Sequence, residues 1–225
     1  MLSQAIGELL PSAVGVALSP VPIVAVILML ATPRARVTGT AFAVGWIVGL
    51  SVVSVVVLLV AGGADQSDSG ASDAVNVFKV VIGLLFFALA AKQWRGRPAP
   101  GEDPPLPAWM STIDTFTAGK SFALGALLSG LNPKNLALTA AAAASIAQAD
   151  LSGGQDVAAV AVFVVLGSLS VVGPVVYARV AGEKAARRLG LIKQFLVDNT
   201  AVIMMVVFAV LGAKILGNGY AGLAG

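Results

Sequence analysis

The sequence predicts an all-α integral membrane protein with six transmembrane helices arranged as an inverted three-plus-three repeat. The observations behind this are an apolar composition, six apolar segments of spanning length, and basic residues that alternate between connections. Hydrophobic residues make up 58% of the 225 residues and charged residues 11%, against about 25% charged residues in a soluble domain. So few charges cannot cover a water-facing surface, and most of the outer surface is therefore expected to face lipid.

The composition also excludes several classes of chemistry. The chain has no Cys and no His, which rules out disulfides, thiol redox chemistry, Cys/His zinc sites and a His-based triad. It contains no Walker loop, no Gly-x-Ser-x-Gly motif and no metal-binding cluster. The basic residues lie at membrane boundaries rather than in one patch, which argues against nucleic acid as a partner. We therefore expect neither an enzyme nor a bound cofactor.

Six segments have the roughly 20 apolar residues that a transmembrane helix needs. Turn-forming residues rich in Gly, Pro and Asp separate them, including Gly182–Gly190 between spans 5 and 6. The predicted spans 1 to 6 are Gln4–Ala31, Val37–Ala61, Ala74–Ala91, Ala118–Ala147, Val157–Val180 and Val197–Leu216.

The distribution of Lys and Arg predicts the orientation, because cytoplasmic connections are enriched in positive charge. The connections after spans 1, 3 and 5 hold eleven of the fourteen basic residues: Arg34, Arg36, Lys92, Arg95, Arg97, Lys120, Arg179, Lys184, Arg187, Arg188 and Lys193. The other connections carry aspartates and no basic residue. The prediction is a multi-pass protein of the plasma membrane with both termini outside.

The two halves of the chain resemble each other in sequence. Residues 15–19 (GVALS) reappear as residues 125–129 (GALLS), and weaker matches pair span 2 with span 5 and span 3 with span 6. Three matches in the same order predict an internal repeat, and three spans per half place the second copy inverted in the membrane. We therefore expect one membrane domain over residues 1–225, with repeat 1 at about 4–92 and repeat 2 at about 118–217.

Spans 1 and 4 share a proline interruption near the bilayer midplane. Pro20 and Pro22 interrupt span 1, and Asn132-Pro133 interrupts span 4, each about 15 residues into its span. Backbone groups freed at that depth must face protein or water. Matched breaks in two repeats indicate the central site of a transporter; a pair of kinks that aid helix packing is the alternative.

Lys134 is the one basic residue predicted to lie beside such a break. No Asp or Glu lies centrally in any predicted span, so the lysine requires an anionic ligand, a cage of carbonyl oxygens or the loss of its proton. We expect it to bind the phosphate or carboxylate of a substrate, helped by neighbouring amides and by the N-terminus of a restarted helix. A structural lysine bonded to carbonyls that the span 1 prolines free is the alternative. The predicted substrate-binding residues are Lys134, Asn132, Asn135, Pro133, Ser19, Pro20, Pro22 and Ser129.

The connection between the two repeats, at about residues 95–117, is rich in proline. Because it holds Pro98, Pro100, Pro104, Pro105 and Pro107, it cannot form one helix. Apolar residues at helical spacing follow from Trp109 to Phe116 and predict a short interfacial helix that leads into span 4.

Two motifs in this setting resemble a known family. With the six-span inverted repeat, ALSPVP at residues 17–22 and LNPKN at residues 131–135 resemble the lysine exporter (LysE) superfamily. Within it, the whole chain is similar to the GAP family, the Sap or sulfolipid-1-addressing protein group. The resemblance implies a role in moving glycolipids or their precursors to the cell surface. The chain lacks the acidic intramembrane motifs of metal-exporting relatives and the paired cysteines of thiol–disulfide relatives.

These observations together predict a transporter that moves an anionic amphiphile, a glycolipid or lipid-linked precursor, across the plasma membrane. The expected partners are that anionic lipid or glycolipid and the surrounding membrane lipids. A larger lipid-export machinery and a homodimer are left open. The alternatives are an exporter of a small amino-acid-like metabolite and a non-transporting subunit of a lipid-export complex.

Overall fold

A computed structural model of the chain describes residues 2–62, 69–99, 107–149, 151 and 154–224, and all regular structure within these ranges is helical. In chain order, the α-helices of the described residues are α1 (Leu2–Ala17), α2 (Pro20–Leu30), α3 (Ala35–Gly62), α4 (Ser69–Arg95), α5 (Ala118–Gly130), α6 (Pro133–Gln148), α7 (Gln155–Ala181) and α8 (Glu183–Ala224). A 3-10 helix, Ala108–Thr115, precedes α5.

Several of these helices have the length and composition to cross a bilayer. Within the described residues, Ala35–Leu59 of α3, α7 and α8 each qualify alone, and α1 and α2 qualify together as one bent span. The membrane character predicted from the sequence agrees with these helices. The count of six spans and the inverted repeat stay predictions.

The chain divides into two compact units. The first comprises Met1–Ala61 and Pro105–Asp198, and the second comprises Gly62–Pro104 and Asn199–Gly225. Predicted spans 1, 2, 4 and 5 thus fall in the first unit and predicted spans 3 and 6 in the second, so each predicted repeat pair lies within one unit. The single membrane domain over residues 1–225 stays a prediction.

In the first unit, α1 packs against α6 and α7, and α2 packs against α7. Helices α3 and α5 approach so closely that a Cβ atom at Gly45 would overlap the backbone carbonyl of Phe122. A Cβ atom at Gly49 would likewise overlap the carbonyl oxygen of Ala126. Small residues permit this contact between membrane helices because they let two backbones meet. Trp46 and Leu50 of α3 are fully buried beside it.

In the second unit, α4 packs against the C-terminal part of α8. The side-chain amide of Asn76 donates a hydrogen bond to the Gly222 carbonyl at 2.9 Å. The rings of Phe86 and Phe208 meet edge to face with centroids 5.5 Å apart. A Cβ atom at Gly83 would touch the backbone of Leu216, so this helix pair also depends on small residues.

The connection between α7 and α8 differs from the sequence prediction, which placed turn residues from Gly182 to Gly190. The turn is Gly182 alone, whose φ of 52° lies in the left-handed region that favours glycine. Helix α8 begins at Glu183 and continues through Gly190, because Ala185 and Leu189 are buried one turn apart and anchor this segment. Of its 42 residues, those up to Asp198 belong to the first unit and the rest to the second.

The proline-rich connection holds the predicted short helix, in 3-10 form rather than α form. Met110 and Ile113 of this helix are buried, and the helix packs against α2. Residues 100–106, with three of the five prolines, lie outside the described residues.

Candidate functional site

The predicted break in span 1 is present between α1 and α2. Helix α1 ends at Ala17, α2 begins at Pro20, and their axes differ by 52°. In a continuous helix, the N–H groups of residues 20 and 22 would donate to the carbonyls of Val16 and Leu18. Proline has no N–H, and both carbonyls are therefore left without their helical donor.

Ser19 and Ser170 supply substitute donors to the end of α1. The Ser19 hydroxyl donates to the Val16 carbonyl at 2.7 Å. The Ser19 backbone N–H donates to the Ala17 carbonyl at 2.9 Å, which also accepts from the Ser170 hydroxyl of α7 at 2.7 Å. The terminal carbonyls of a helix need such partners when no water reaches them.

Lys134 provides the remaining donors. Its side chain is 7% exposed, and Nζ donates to the carbonyl of Gly15 at 2.7 Å, to the carbonyl of Leu18 at 3.2 Å and to Ser19 Oγ at 2.7 Å. An ammonium group has three N–H donors, and these three oxygens match them. The positive charge also lies at the negative end of the α1 dipole. Of the three environments that the sequence allowed for Lys134, the structure shows the cage of carbonyl oxygens.

The second break separates α5 from α6. Helix α5 ends at Gly130 and α6 begins at Pro133. Asn132 caps α6, since its side-chain oxygen accepts the Lys134 backbone N–H at 3.0 Å. The Asn135 amide donates to the Leu128 carbonyl near the end of α5 at 3.0 Å. Both predicted breaks are thus present, and each has a polar side chain bonded to a carbonyl near its helix end.

The structure brings only part of the predicted site together. Lys134 contacts Ser19 directly, whereas Asn132 and Asn135 stabilise the second break and Ser129 donates to the Ala126 carbonyl within α5. The remaining predicted site residues are Pro20 and Pro22, which are buried, and Pro133, which is exposed. Their assignment as substrate-binding residues stays a prediction.

The first unit holds a set of buried polar atoms, of which the sequence singled out Asn135 as a site residue and gave no role to Thr139 or Trp46. Among the described residues, the buried side-chain atoms without a hydrogen-bond partner are Asn135 Oδ1, Thr139 Oγ1, Ser168 Oγ and Trp46 Nε1. Thr139 follows Asn135 by four residues, which places both on one face of α6. The signal that could have identified Thr139 is its position one helical turn after Asn135 in an alanine-rich helix.

The described part of the chain shows no group of His, Cys, Asp or Glu suited to a metal ion. The polar side chains at the breaks instead form hydrogen bonds with backbone groups at the helix ends.

Comparison with known proteins gives one match. A protein-family model described as "Sap, sulfolipid-1-addressing protein" matches residues 9–221. No curated protein and no solved structure matches the chain.

Proposed function

Because the chain belongs to the sulfolipid-1-addressing protein (Sap) family, we propose that it moves an anionic amphiphile, a glycolipid or lipid-linked precursor, across the plasma membrane. The family match over residues 9–221 carries this proposal. The family's description names a sulfolipid, which is a lipid with a negatively charged headgroup. The long apolar helices support a location in the membrane, where an amphiphile resides.

The geometry of the two breaks supports transport. Discontinuous helices whose ends meet inside a membrane protein recur at the substrate sites of secondary transporters. Here Lys134, at the start of α6, is bonded to the end of α1, so one cation joins both broken segments. An anionic headgroup that accepts hydrogen bonds from this ammonium competes with the Gly15 and Leu18 carbonyls for the same protons. Substrate binding is thereby coupled to the packing of α1 against α6.

The proposal includes the architecture that the resemblance to the lysine exporter superfamily implies. Two inverted repeats allow a site at their broken helices to open alternately to either side. With both termini outside, the basic connections lie in the cytoplasm, and a headgroup enters from the inner leaflet.

A second candidate function is that of a non-transporting subunit in a lipid-export complex. The observation that favours it is the saturation of Lys134, whose three donors already have acceptors within the chain. A lysine used in this way stabilises a helix end and needs no substrate. The two functions differ in whether the purified protein alone moves a lipid.

Proteoliposomes that contain only this protein distinguish these functions. The vesicles carry a fluorescent sulfated galactosylceramide or its unsulfated twin, and an impermeant reductant bleaches the probe in the outer leaflet. The proposal predicts that the protected pool of the sulfated probe becomes accessible faster than in protein-free vesicles, with a smaller effect on the neutral twin. Equal rates in vesicles with and without protein would favour the subunit function. Release of trapped radiolabelled amino acids, with no movement of lipid, would instead indicate the exporter of small metabolites.

A further inference from the structure

A basic cavity lies in the first unit at the ends of four helices. Its volume is about 320 Å³, and it is bounded by the C-terminal ends of α2 and α7 and the N-terminal ends of α3 and α8. Its charged lining residues are Arg36, Arg179 and Lys193, and no acidic side chain is among the described residues that line it. The volume falls within the range of about 300–1,000 Å³ typical of ligand pockets.

The fold assembles these three cations from two separate connections. Arg36 follows the turn between α2 and α3, whereas Arg179 and Lys193 flank the turn at Gly182. The chain passes from α7 to α8 through Gly182 in the left-handed conformation, and the end of α7 and the start of α8 line the same cavity. Buried Ala185 and Leu189 then fix the face of α8 on which Lys193 lies, since residues 185, 189 and 193 are four apart.

A hydrogen-bonded chain orients the arginine of α7. The Arg179 guanidinium donates from Nη2 to Thr40 Oγ1 at 2.6 Å, and the Thr40 hydroxyl donates to the Arg36 carbonyl at 2.5 Å. One guanidinium donor is used in this bond, and guanidinium has five in a planar fork that matches the oxygens of a phosphate or sulfate. Thr40 also lines the cavity.

The remaining walls are apolar. Ile27 and Leu30 of α2, Val175 of α7 and Leu189 of α8 are among the lining residues. A free inorganic ion gains nothing from contact with apolar walls. An amphiphile, by contrast, places its charge beside the cations and its acyl chain along the aliphatic side chains. Basic pockets between membrane helices on the cytoplasmic side bind anionic lipid headgroups in this way.

We propose that this cavity is an entry site for the sulfate or phosphate headgroup of a membrane amphiphile, held by Arg36, Arg179 and Lys193. The inference deepens the proposed function, on which its role as an entry point rests. The cavity lining carries three positive charges and, among the described residues, no carboxylate, and a bound anion balances that charge. Helix α2 forms one wall and starts at Pro20, about 15 Å away along its axis. An amphiphile bound here therefore contacts, through its apolar part, the same half-helix that adjoins the Lys134 cage.

Lipid binding to the purified full-length chain in nanodiscs tests the site. The probes are sulfatide and dioleoyl phosphatidic acid, with galactosylceramide and phosphatidylcholine as the lipids without net charge, and binding is measured by native mass spectrometry. The cavity variant is Arg36→Gln, Arg179→Gln and Lys193→Gln combined. The matched control removes the same charge from exposed residues of α8 that do not line the cavity: Lys184→Gln, Arg187→Gln and Arg188→Gln.

The wild type and the matched control are expected to bind both anionic lipids in preference to the other two. The cavity variant is expected to lose affinity on the order of a hundredfold, from the usual contribution of three basic residues near an anionic headgroup. Equal losses in both triple variants would assign the effect to net charge and overturn the proposal. Inorganic sulfate or glycerol 3-phosphate binding as tightly as the lipids would overturn the amphiphile as occupant.

Photolabelling of the wild type tests the site even if the cavity variant does not fold. A sulfatide with a diazirine near its headgroup is expected to label wild-type peptides spanning residues 27–40 and 175–193, and labelling only elsewhere would contradict the site. The translocation assay run in parallel separates the two proposals. Binding at the cavity without any translocation by the wild type refutes the transport function and leaves the headgroup site in place. Translocation without binding at the cavity supports the transport function and refutes the headgroup site.

Discussion

The replacement Lys134→Met tests whether the lysine stabilises the break in span 1. Methionine keeps most of the side-chain volume and removes the three N–H donors that reach Gly15, Leu18 and Ser19. Three charge-assisted hydrogen bonds, at about 1.5–3 kcal/mol each, offset the several kcal/mol that burying an ammonium costs. The net change in the free energy of unfolding then comes from the acceptors that the substitution leaves without a hydrogen-bond partner.

Those acceptors are two backbone carbonyls that cannot regain a helical donor. The donor for Leu18 would be residue 22, which is proline, and the Ser19 N–H that would serve Gly15 already donates to Ala17. An unsatisfied buried carbonyl costs about 1–3 kcal/mol. The free energy of unfolding is therefore expected to fall by about 2–6 kcal/mol, which lowers the melting temperature by at least about 4 °C for a chain of this length.

Thermal unfolding in detergent, followed by size-exclusion chromatography, measures this change. Lys120→Met is the matched control, because Lys120 lies exposed in the first turn of α5 and its loss removes the same charge. The control should melt within about 1 °C of the wild type, in line with the small effect of most surface substitutions. If Lys134→Met melts at the wild-type temperature or above it, the carbonyl cage does not stabilise the fold, and binding of a substrate anion becomes the better account of the lysine.

Three further predictions concern packing, topology and the neighbouring cap. Gly45→Leu should destabilise the protein by at least about 1–3 kcal/mol, because its Cβ atom would overlap an α5 carbonyl. The control Gly173→Ala, whose Cβ atom meets open space, should melt at the wild-type temperature. Equal melting temperatures of the two variants would contradict the close α3–α5 contact. Single cysteines at Ala108 and Leu151 should react differently with an impermeant maleimide in intact cells, with labelling at 151 and none at 108; the opposite pattern would invert the topology. Ser170→Ala should lower stability by only about 0.5–1.5 kcal/mol, because the carbonyl it serves keeps a second donor; a loss as large as that of Lys134→Met in the same melting assay would refute this ranking.

The sequence predicted the positions of both breaks because proline acts locally. A missing N–H at residues 20 and 22 interrupts a helix whatever surrounds it, and the pair Asn132-Pro133 combines a preferred cap with a preferred first residue. The same local reasoning identified carbonyls that need new donors. It did not choose between an anion and a carbonyl cage for Lys134, because that depends on how α1 packs against α6, which are over a hundred residues apart.

The basic cavity was not predicted, also for a reason of distance. The sequence assigned Arg36, Arg179 and Lys193 only to the side of the membrane that their connections face. Their convergence depends on the one-residue turn at Gly182, and a glycine followed eight residues later by Gly190 resembles a longer loop in sequence. Burial of Leu189 within the first unit, a tertiary effect, makes that segment helical instead.

The proposed transport function requires the broken helix of span 1 to belong to a path for an anionic amphiphile. Its most direct test is the initial rate of sulfated-galactosylceramide translocation in proteoliposomes that contain the wild type or the double variant Pro20→Ala/Pro22→Ala. The restored N–H groups at residues 20 and 22 can donate to the Val16 and Leu18 carbonyls and let α1 continue into α2. We predict that the wild type moves the sulfated probe faster than its neutral twin. The double variant is expected to remain folded, as its melting curve will show, but not to move the sulfated probe faster than the neutral one. Equal rates for the wild type and the folded double variant, or no movement of the sulfated probe by the wild type, would contradict the account.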